Sequence, residues 1–185
     1  MTSSVIIRRA ARILYAGGVI AYPTEGVYGL GCLPGNHDAV ERLLDIKGRS
    51  HQAGLILVAP IYELLAEWLA PTKKEYRRLM EPTPRPVTWV VTAASGTPDY
   101  LTGGRPTVAV RLSQHPTVAE LCLSVDSALT STSANRTGRP AAMSALAARA
   151  QLGRMLDYVV VGELGDGKGP SEIRVAKDGR ILRPG

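Results

Sequence analysis

The chain offers few side chains able to do covalent chemistry, and several able to hold an anion. Lys47 and Arg49 stand two apart in KGRS, at the end of a helical pattern. Gly48 between them frees the backbone, so both cations can turn to one phosphate; the plainer role is compensating a helix dipole. Ser131, Ser133 and Asn135 lie in STSAN, where an apolar strand runs out into polar residues. Hydroxyls and an amide at the carboxyl end of a strand suit a ligand crevice in an open α/β sheet, or a solvated loop. Thr24 opens TEGVYGLG, whose Gly26, Gly29 and Gly31 allow a ligand, or simply another part of the chain, close to the backbone. Arg111 is the one charge in the strand TVAVRL. A guanidinium there must reach a crevice or pair internally, because burying it alone is costly.

Other chemistries are poorly represented. GELGDGKG at 162–169 resembles a phosphate-binding loop with Lys168 in place, but Gly169 replaces the magnesium-binding hydroxyl and Pro170 blocks the helix that should follow. HExxH, paired CxxC, GxSxG and GxGxxG are absent. His37, His51 and His115 are scattered, and His115 before Pro116 reads as a helix start. The carboxylates Glu25, Asp38, Glu41 and Asp45 form no ligand-like cluster, so no protein-held metal is expected.

The elements that must position these residues follow from periodicity. Helical spacing covers Ser4–Ala16, a helix from Asp38 (capping box with Glu41) to Lys47, Ile61–Leu69, Thr72–Met80, Thr117–Leu123 and Met143–Leu152. Strands are expected at Val19–Tyr22, Leu55–Ala59, Val87–Thr92, Val108–Leu112, Leu129–Ser133 and Tyr158–Val161. Ile173–Ala176 and Arg180–Leu182 flank Asp178-Gly179 as a hairpin. Helices alternate with strands, and some strands read as antiparallel. The expected fold is therefore one α/β domain over 1–185, a twisted mixed sheet with flanking helices.

Composition sets the outer bounds. The 185 residues suit one core, and 45% hydrophobic with 21% charged residues is a globular balance. Cys32 and Cys122 are too few for a disulfide framework or a four-ligand zinc site and read as thiols in a reducing cytosol. No apolar run approaches the roughly 18 residues of a membrane span, and Arg8, Arg9 and Arg12 interrupt any signal-like segment. A net charge of +6 favours anionic partners, whether nucleotide or RNA. Nine aromatics without a phenylalanine are thin for a base-stacking RNA reader.

In order, AYPTEGVYGLGC, LLDIKGR, GLILVA, PVTWVV, TVAVRLSQHP, TSTSAN and PSEIRVAKDGRILRPG together resemble the YrdC/TsaC family of threonylcarbamoyl-AMP synthases, across nearly the whole chain. The resemblance implies the short single-domain form and a concave sheet with a basic cavity. It implies a cytoplasmic enzyme that converts L-threonine, bicarbonate and ATP, with magnesium carried on the nucleotide, to threonylcarbamoyl-AMP and pyrophosphate. The product would serve N6-threonylcarbamoyl modification of adenosine 37 in tRNA, with partner proteins of the transfer machinery and tRNA itself as further contacts. It assigns ATP to Lys47, Arg49, Ser133, Asn135 and Arg183, the first two as catalytic cations. It assigns threonine to Thr24, Arg111, Ser131 and Ser171. A reading from another class is a non-catalytic RNA-binding module on the same fold. Two positions depart from the family pattern: Ser50 follows KGR where proline is common, and TPRP, with Arg85, stands where WPGP is usual.

Overall fold

The computed structural model describes residues 3–167 and 169–185; the lysine of GELGDGKG, Lys168, lies outside them. Among the described residues nine strands form one mixed sheet: β1 (Ile20–Pro23), β2 (Tyr28–Gly31), β3 (Ile56–Ala59), β4 (Val87–Thr92), β5 (Thr107–Leu112), β6 (Leu129–Ser133), β7 (Tyr158–Val159), β8 (Glu172–Val175) and β9 (Ile181–Arg183). Their order is β7-β1-β2-β6-β3-β5-β4-β8-β9. Strands β3 and β5 are parallel, as are β4 and β8 and, at the far edge, β1 and β7; the other pairs are antiparallel. The expected single α/β domain with a mixed, helix-flanked sheet is the architecture found.

Alternation along the strands divides the core into two faces. Ala21, Leu57, Ala59, Val108 and Val110 point to the face covered by α2 (His37–Lys47), through Val40, Leu43 and Leu44, and by α6 (Ala145–Leu152) through Ala148 and Leu152. Ile20, Tyr22, Val58 and Leu129 point the other way. There α1 (Ser4–Tyr15) buries Ile7, Ala10 and Leu14 against Val118, Leu121 and Val125 of α5 (Pro116–Val125). Ala109 and Arg111 share this second face. Over β5, β4 and β8 it forms the floor of a cavity.

Tight turns permit this layout. Strands β1 and β2 form a hairpin, and β2 pairs onward with β6. A side chain at Gly31 would sit 2.1 Å from the Thr130 carbonyl oxygen, so YGLG can cross there only without one. The remaining helices are α3 (Lys73–Met80) and the short α4 (Asp99–Thr102).

Several boundaries differ from the sequence reading, and Tyr28–Gly31 of the glycine-rich stretch is a strand. Asn36, not Asp38, caps α2: its Oδ1 accepts from the Ala39 amide at 3.0 Å, while Glu41 turns toward His37 and His51. Residues 61–69 form two 3₁₀ turns, Tyr62–Leu64 and Ala66–Trp68. Their end is drawn to the sheet by a Leu69–Ala93 bridge and by the Ala70 amide on the Thr92 carbonyl, which a continuous helix would forbid. Helix α6 begins at Ala145 because Ser144 caps it. Strand β7 pairs only at Tyr158 and Val159. Helix α4, inside the Gly-rich excursion, is too short to leave a periodic signal.

Helix α3 is fixed by Glu75, only 3% exposed. Its carboxylate closes a capping box with Thr72 and accepts from the Thr92 amide and hydroxyl of β4. Burial pushes this carboxyl up, but the Thr72 and Thr92 donors outweigh it and hold it below its ordinary value. Above the unfolded pKa of about 4.3 the ionised group contributes fully, and the contribution is lost as pH falls through the lower folded value. Glu75→Gln should therefore lower Tm at pH 7 by an amount worth about 1.5–3 kcal/mol. The deficit should shrink in acid, and ATP and threonine KM should stay unchanged. Paired melting curves and kinetics at several pH values check this.

Candidate active site

The cavity floor is one row of paired residues across five strands: Ser131 of β6 beside Ile56 of β3, then Ala109 of β5, Val90 of β4 and Val175 of β8. Small and β-branched side chains keep this floor shallow. Above it lies a lobe of about 670 Å³ whose charged lining residues, among those described, are arginines: Arg49, Arg105, Arg111, Arg180 and Arg183. Burial, then Arg183 and Arg105, depress the Arg49 guanidinium, and burial, then Arg111, depress Arg183. These cations oppose one another's charge. A polyanion placed among them would relieve that repulsion.

Lys47 stands behind this wall. It ends α2 and is 5% exposed. Its ammonium donates to the Ser133 carbonyl at 2.7 Å, the Ser133 hydroxyl at 2.9 Å and Asn135 Oδ1 at 2.5 Å, which occupies all three protons. Asn135 in turn donates to the carbonyls of Arg136 and Arg139. Gly48, in the left-handed region at φ 62°, ends the helix, and Thr137 donates from its amide and hydroxyl to the Lys47 carbonyl. The end of α2 and the SAN loop thus form one hydrogen-bonded unit. Burial and then the neighbouring Arg49 pull the Lys47 ammonium down to about 8. Of this unit Ser133 lines the cavity, as does Arg49, which reaches the Ala53 and Gly54 carbonyls through Nη2 and leaves a buried Nε without a partner.

Arg111 is 7% exposed, and its guanidinium makes no hydrogen bond to the described residues. Nη2 lies 3.6 Å from Glu25 Oε2, an ion pair too long for a hydrogen bond, and Nε is buried and unpartnered. Glu25 is held from its other oxygen by the Ser113 hydroxyl at 2.6 Å. Burial pushes the Glu25 carboxyl up, but Arg111, Ser113, its own amide and His115 together bring it below its ordinary value. The result is an oriented guanidinium with spare donors, a binding partner for a carboxylate.

The other residues singled out in the sequence take definite places. Thr24, 3% exposed, donates its hydroxyl to the Val27 carbonyl at 2.7 Å and lines the cavity. Ser131 is the first residue of the floor row. The Ser171 hydroxyl exchanges a hydrogen bond with Thr88 at 2.7 Å, and its carbonyl accepts from Arg183. Thr24, Arg111 and Ser171 line both the arginine lobe and an adjoining second lobe. His115 caps α5 by accepting from Thr117, with Nε2 on the Glu163 carbonyl. Burial holds this imidazole below its usual value despite Glu163 and Glu25. Arg85 is exposed, and Ser50 caps the 3₁₀ turn His51–Ala53. Sequence reasoning missed Arg105 and Arg180, which loops bring into the lobe without any local signal. It counted Glu25 only as a scattered acid, although adjacency to Thr24 was the available clue. No group of three His, Cys, Asp or Glu among the described residues is arranged to hold a metal ion, and both cysteines are buried and unpaired.

A threonylcarbamoyl-AMP synthase of Nitrosococcus oceani is 49% identical over 178 residues, 96% of each chain. One from Pseudomonas fluorescens is 46% identical over 187 residues, covering both chains fully. Among solved structures, P. abyssi Sua5 complexed with L-threonine superposes with a TM-score of 0.88 at 29% identity, over 97% of this chain and 54% of that one. The present chain thus spans about half the length of that protein. E. coli YciO shares the fold at a TM-score of 0.85 and 24% identity, over 99% of this chain and 90% of that one. Residues 12–185 match the Sua5/YciO/YrdC family, described under telomere recombination. The chain belongs to that family.

Proposed function

We propose that this chain is a threonylcarbamoyl-AMP synthase. The observation that carries the reading is a cavity lined by five described arginines, one of which, Arg111, rises beside the floor strand next to Glu25 with spare donors. The lobe suits a triphosphate, and Arg111 suits the carboxylate of an amino acid in the same cavity. The similarity to threonylcarbamoyl-AMP synthases along essentially the whole chain supports the same reading.

The chemistry requires placement more than a nucleophile from the protein. The threonine amine attacks bicarbonate, or the carbon dioxide it releases, to form a carbamate, and water leaves. A carbamate oxygen then attacks the α-phosphorus as the bond to pyrophosphate breaks. Such a transfer is accelerated by alignment and by fixed cations matching the negative charge that builds on the phosphates. Arg49, Arg183, Arg105 and Arg180 supply those cations. Lys47 fixes Ser133 and Asn135 and adds its charge from behind the wall. Thr24, Ser131 and Ser171 surround the amino acid that Arg111 anchors. Magnesium enters with ATP, held by phosphate and water, as that ion prefers. The product is handed, in the cytoplasm, to the machinery that modifies adenosine 37 of tRNA.

Pyrophosphate release should require threonine, bicarbonate and ATP together. Release that ignored threonine and bicarbonate would contradict the reading. Lys47→Ala and Arg49→Ala should each remain folded and lose about ten- to a hundredfold in activity, the value of a charge-assisted contact of about 1.5–3 kcal/mol. Steady-state kinetics with melting curves check this.

Arg111→Lys should raise the threonine KM at least tenfold and leave ATP affinity nearly unchanged, because an ammonium cannot make two parallel bonds to a carboxylate. If Arg111 serves only the fold, the variant instead melts early and keeps its threonine KM.

Lys47 can donate its three bonds only while protonated. Equilibrium ATP affinity should therefore weaken as pH rises through about 8, the depressed value of the free protein. Lys47→Arg should remove this limb, since arginine stays charged throughout. Calorimetric titrations of both proteins with ATP check it.

A further inference from the structure

Two opposite charges stand side by side in the cavity wall, each incompletely answered. Glu25 Oε1 accepts from the Ser113 hydroxyl at 2.6 Å, and that hydroxyl accepts from the His115 amide at 3.3 Å. Glu25 Oε2 is buried and has no hydrogen bond to the described residues. Arg111 Nη2 lies 3.6 Å from it, and Arg111 Nε is equally unpartnered. Among the described residues neither side chain has another ion pair. Arg111 lines both lobes of the cavity, and Glu25 lines the second.

Both groups are held in place by their own elements. The Thr24 amide and hydroxyl donate to the Val27 carbonyl and close the turn that carries Glu25. The Gly165 amide donates to the Thr24 carbonyl at 3.1 Å and the Gly167 amide to the Glu25 carbonyl at 2.8 Å. These two amides are spent on the turn, so the stretch that resembles a phosphate-binding loop braces Glu25 from behind. Arg111 is carried by β5, which is paired on both sides by β3 and β4. The Ser113 amide donates to the Ala59 carbonyl at 2.9 Å and extends that pairing to the residue that grips Glu25. A fixed carboxylate oxygen without a donor, beside a fixed guanidinium without an acceptor, leaves capacity for a ligand that supplies both.

We infer that Glu25 is a further substrate-binding residue: its Oε2 receives the α-ammonium of the amino acid whose carboxylate Arg111 holds. This rests on the proposed synthase reading. An α-amino acid carries its two opposite charges on groups bonded to one carbon, and the adjacent Glu25 and Arg111 offer the opposite pattern. A cation without a tethered anion would meet the charge of Arg111, and a lone anion would meet that of Glu25. A zwitterion answers both at once. Glu25 is held below its ordinary pKa, so it is ionised at neutral pH and available to an ammonium. The preference has a chemical use, because only a molecule with an amine can become a carbamate. Reading the ammonium rejects carboxylates that lack one.

The test is calorimetric binding of three ligands: threonine, (R)-3-hydroxybutyrate, which is threonine without its amine, and L-threoninol, which lacks the carboxylate. The wild-type protein is expected to prefer threonine over either analogue by about tenfold or more, the weight of one hydrogen bond between charged groups. In Glu25→Gln the preference over (R)-3-hydroxybutyrate should largely vanish while the preference over L-threoninol persists. In Arg111→Lys the pattern should reverse. A merely structural Glu25 would weaken all three ligands alike, and that result would overturn the inference. Should Glu25→Gln fail to fold in melting curves, Glu25→Asp, with its charge withdrawn by one methylene, reads the same preference. A wild-type protein indifferent to the amine would overturn the inference without any variant. Lys168→Ala is the control for the neighbouring glycine-rich stretch and should keep the amine preference; its loss there would also overturn the inference, since the carboxylate would then act through that lysine. The synthase reading fails separately, by pyrophosphate release that ignores threonine. If Arg111→Lys selectively loses the carboxylate's share while Glu25→Gln keeps the amine's, only the ammonium site is wrong.

Discussion

A buried ammonium organises this site. Lys47 gives each of its three protons to the end of β6, two to Ser133 and one to Asn135. An ammonium withdrawn from water is costly unless fully hydrogen-bonded, and these acceptors meet that demand. The same bonds fix a cavity-lining serine, hold the SAN loop against the end of α2, and set where Arg49 leaves the helix. Thr137 completes the tie from the other side by capping the Lys47 carbonyl. Removing the acceptors would leave the ammonium buried without partners.

The rest of the cavity follows from strand alternation. Val108 and Val110 enter the core beneath the sheet, so Ala109 and Arg111 must face the opposite side. Ala109 keeps the floor low, and Arg111 rises from it next to Glu25. The cost of burying that guanidinium is partly offset by Glu25 at 3.6 Å. The remainder would be met by the carboxylate of the proposed amino-acid substrate. The other arginines of the cavity would stand in the same relation to the proposed nucleotide: mutually repelled alone, matched when it binds.

Much of this was legible in the sequence because its signals are local. Leu129–Ser133 was delimited as found, and the facing of Ala109 with Arg111 follows from a period of two. Gly48 marked the end of α2 because only a left-handed residue stops it there. The misread elements depended on distant partners. Residues 61–69 have helical spacing but are drawn out by pairing with Ala93 and Thr92. The Asp38–Glu41 pattern lost to Asn36, two residues earlier, whose amide oxygen is better placed. In the site, motif residues were visible as motifs, while Arg105, Arg180 and Glu25 acquire meaning only once the sheet brings them to one cavity. That Lys47 serves Ser133 and Asn135 was invisible, since 86 residues separate the first pair.

The central claim is that one cavity joins amino acid, bicarbonate and nucleotide into a single molecule. The most direct measurement is carbon and phosphorus NMR of a reaction with ¹³C-bicarbonate, ¹⁵N-threonine and ATP. The account predicts a new carbonyl carbon coupled both to threonine nitrogen and to the α-phosphorus, appearing with free pyrophosphate. Label that stays in bicarbonate while ATP is converted to ADP and phosphate would contradict it.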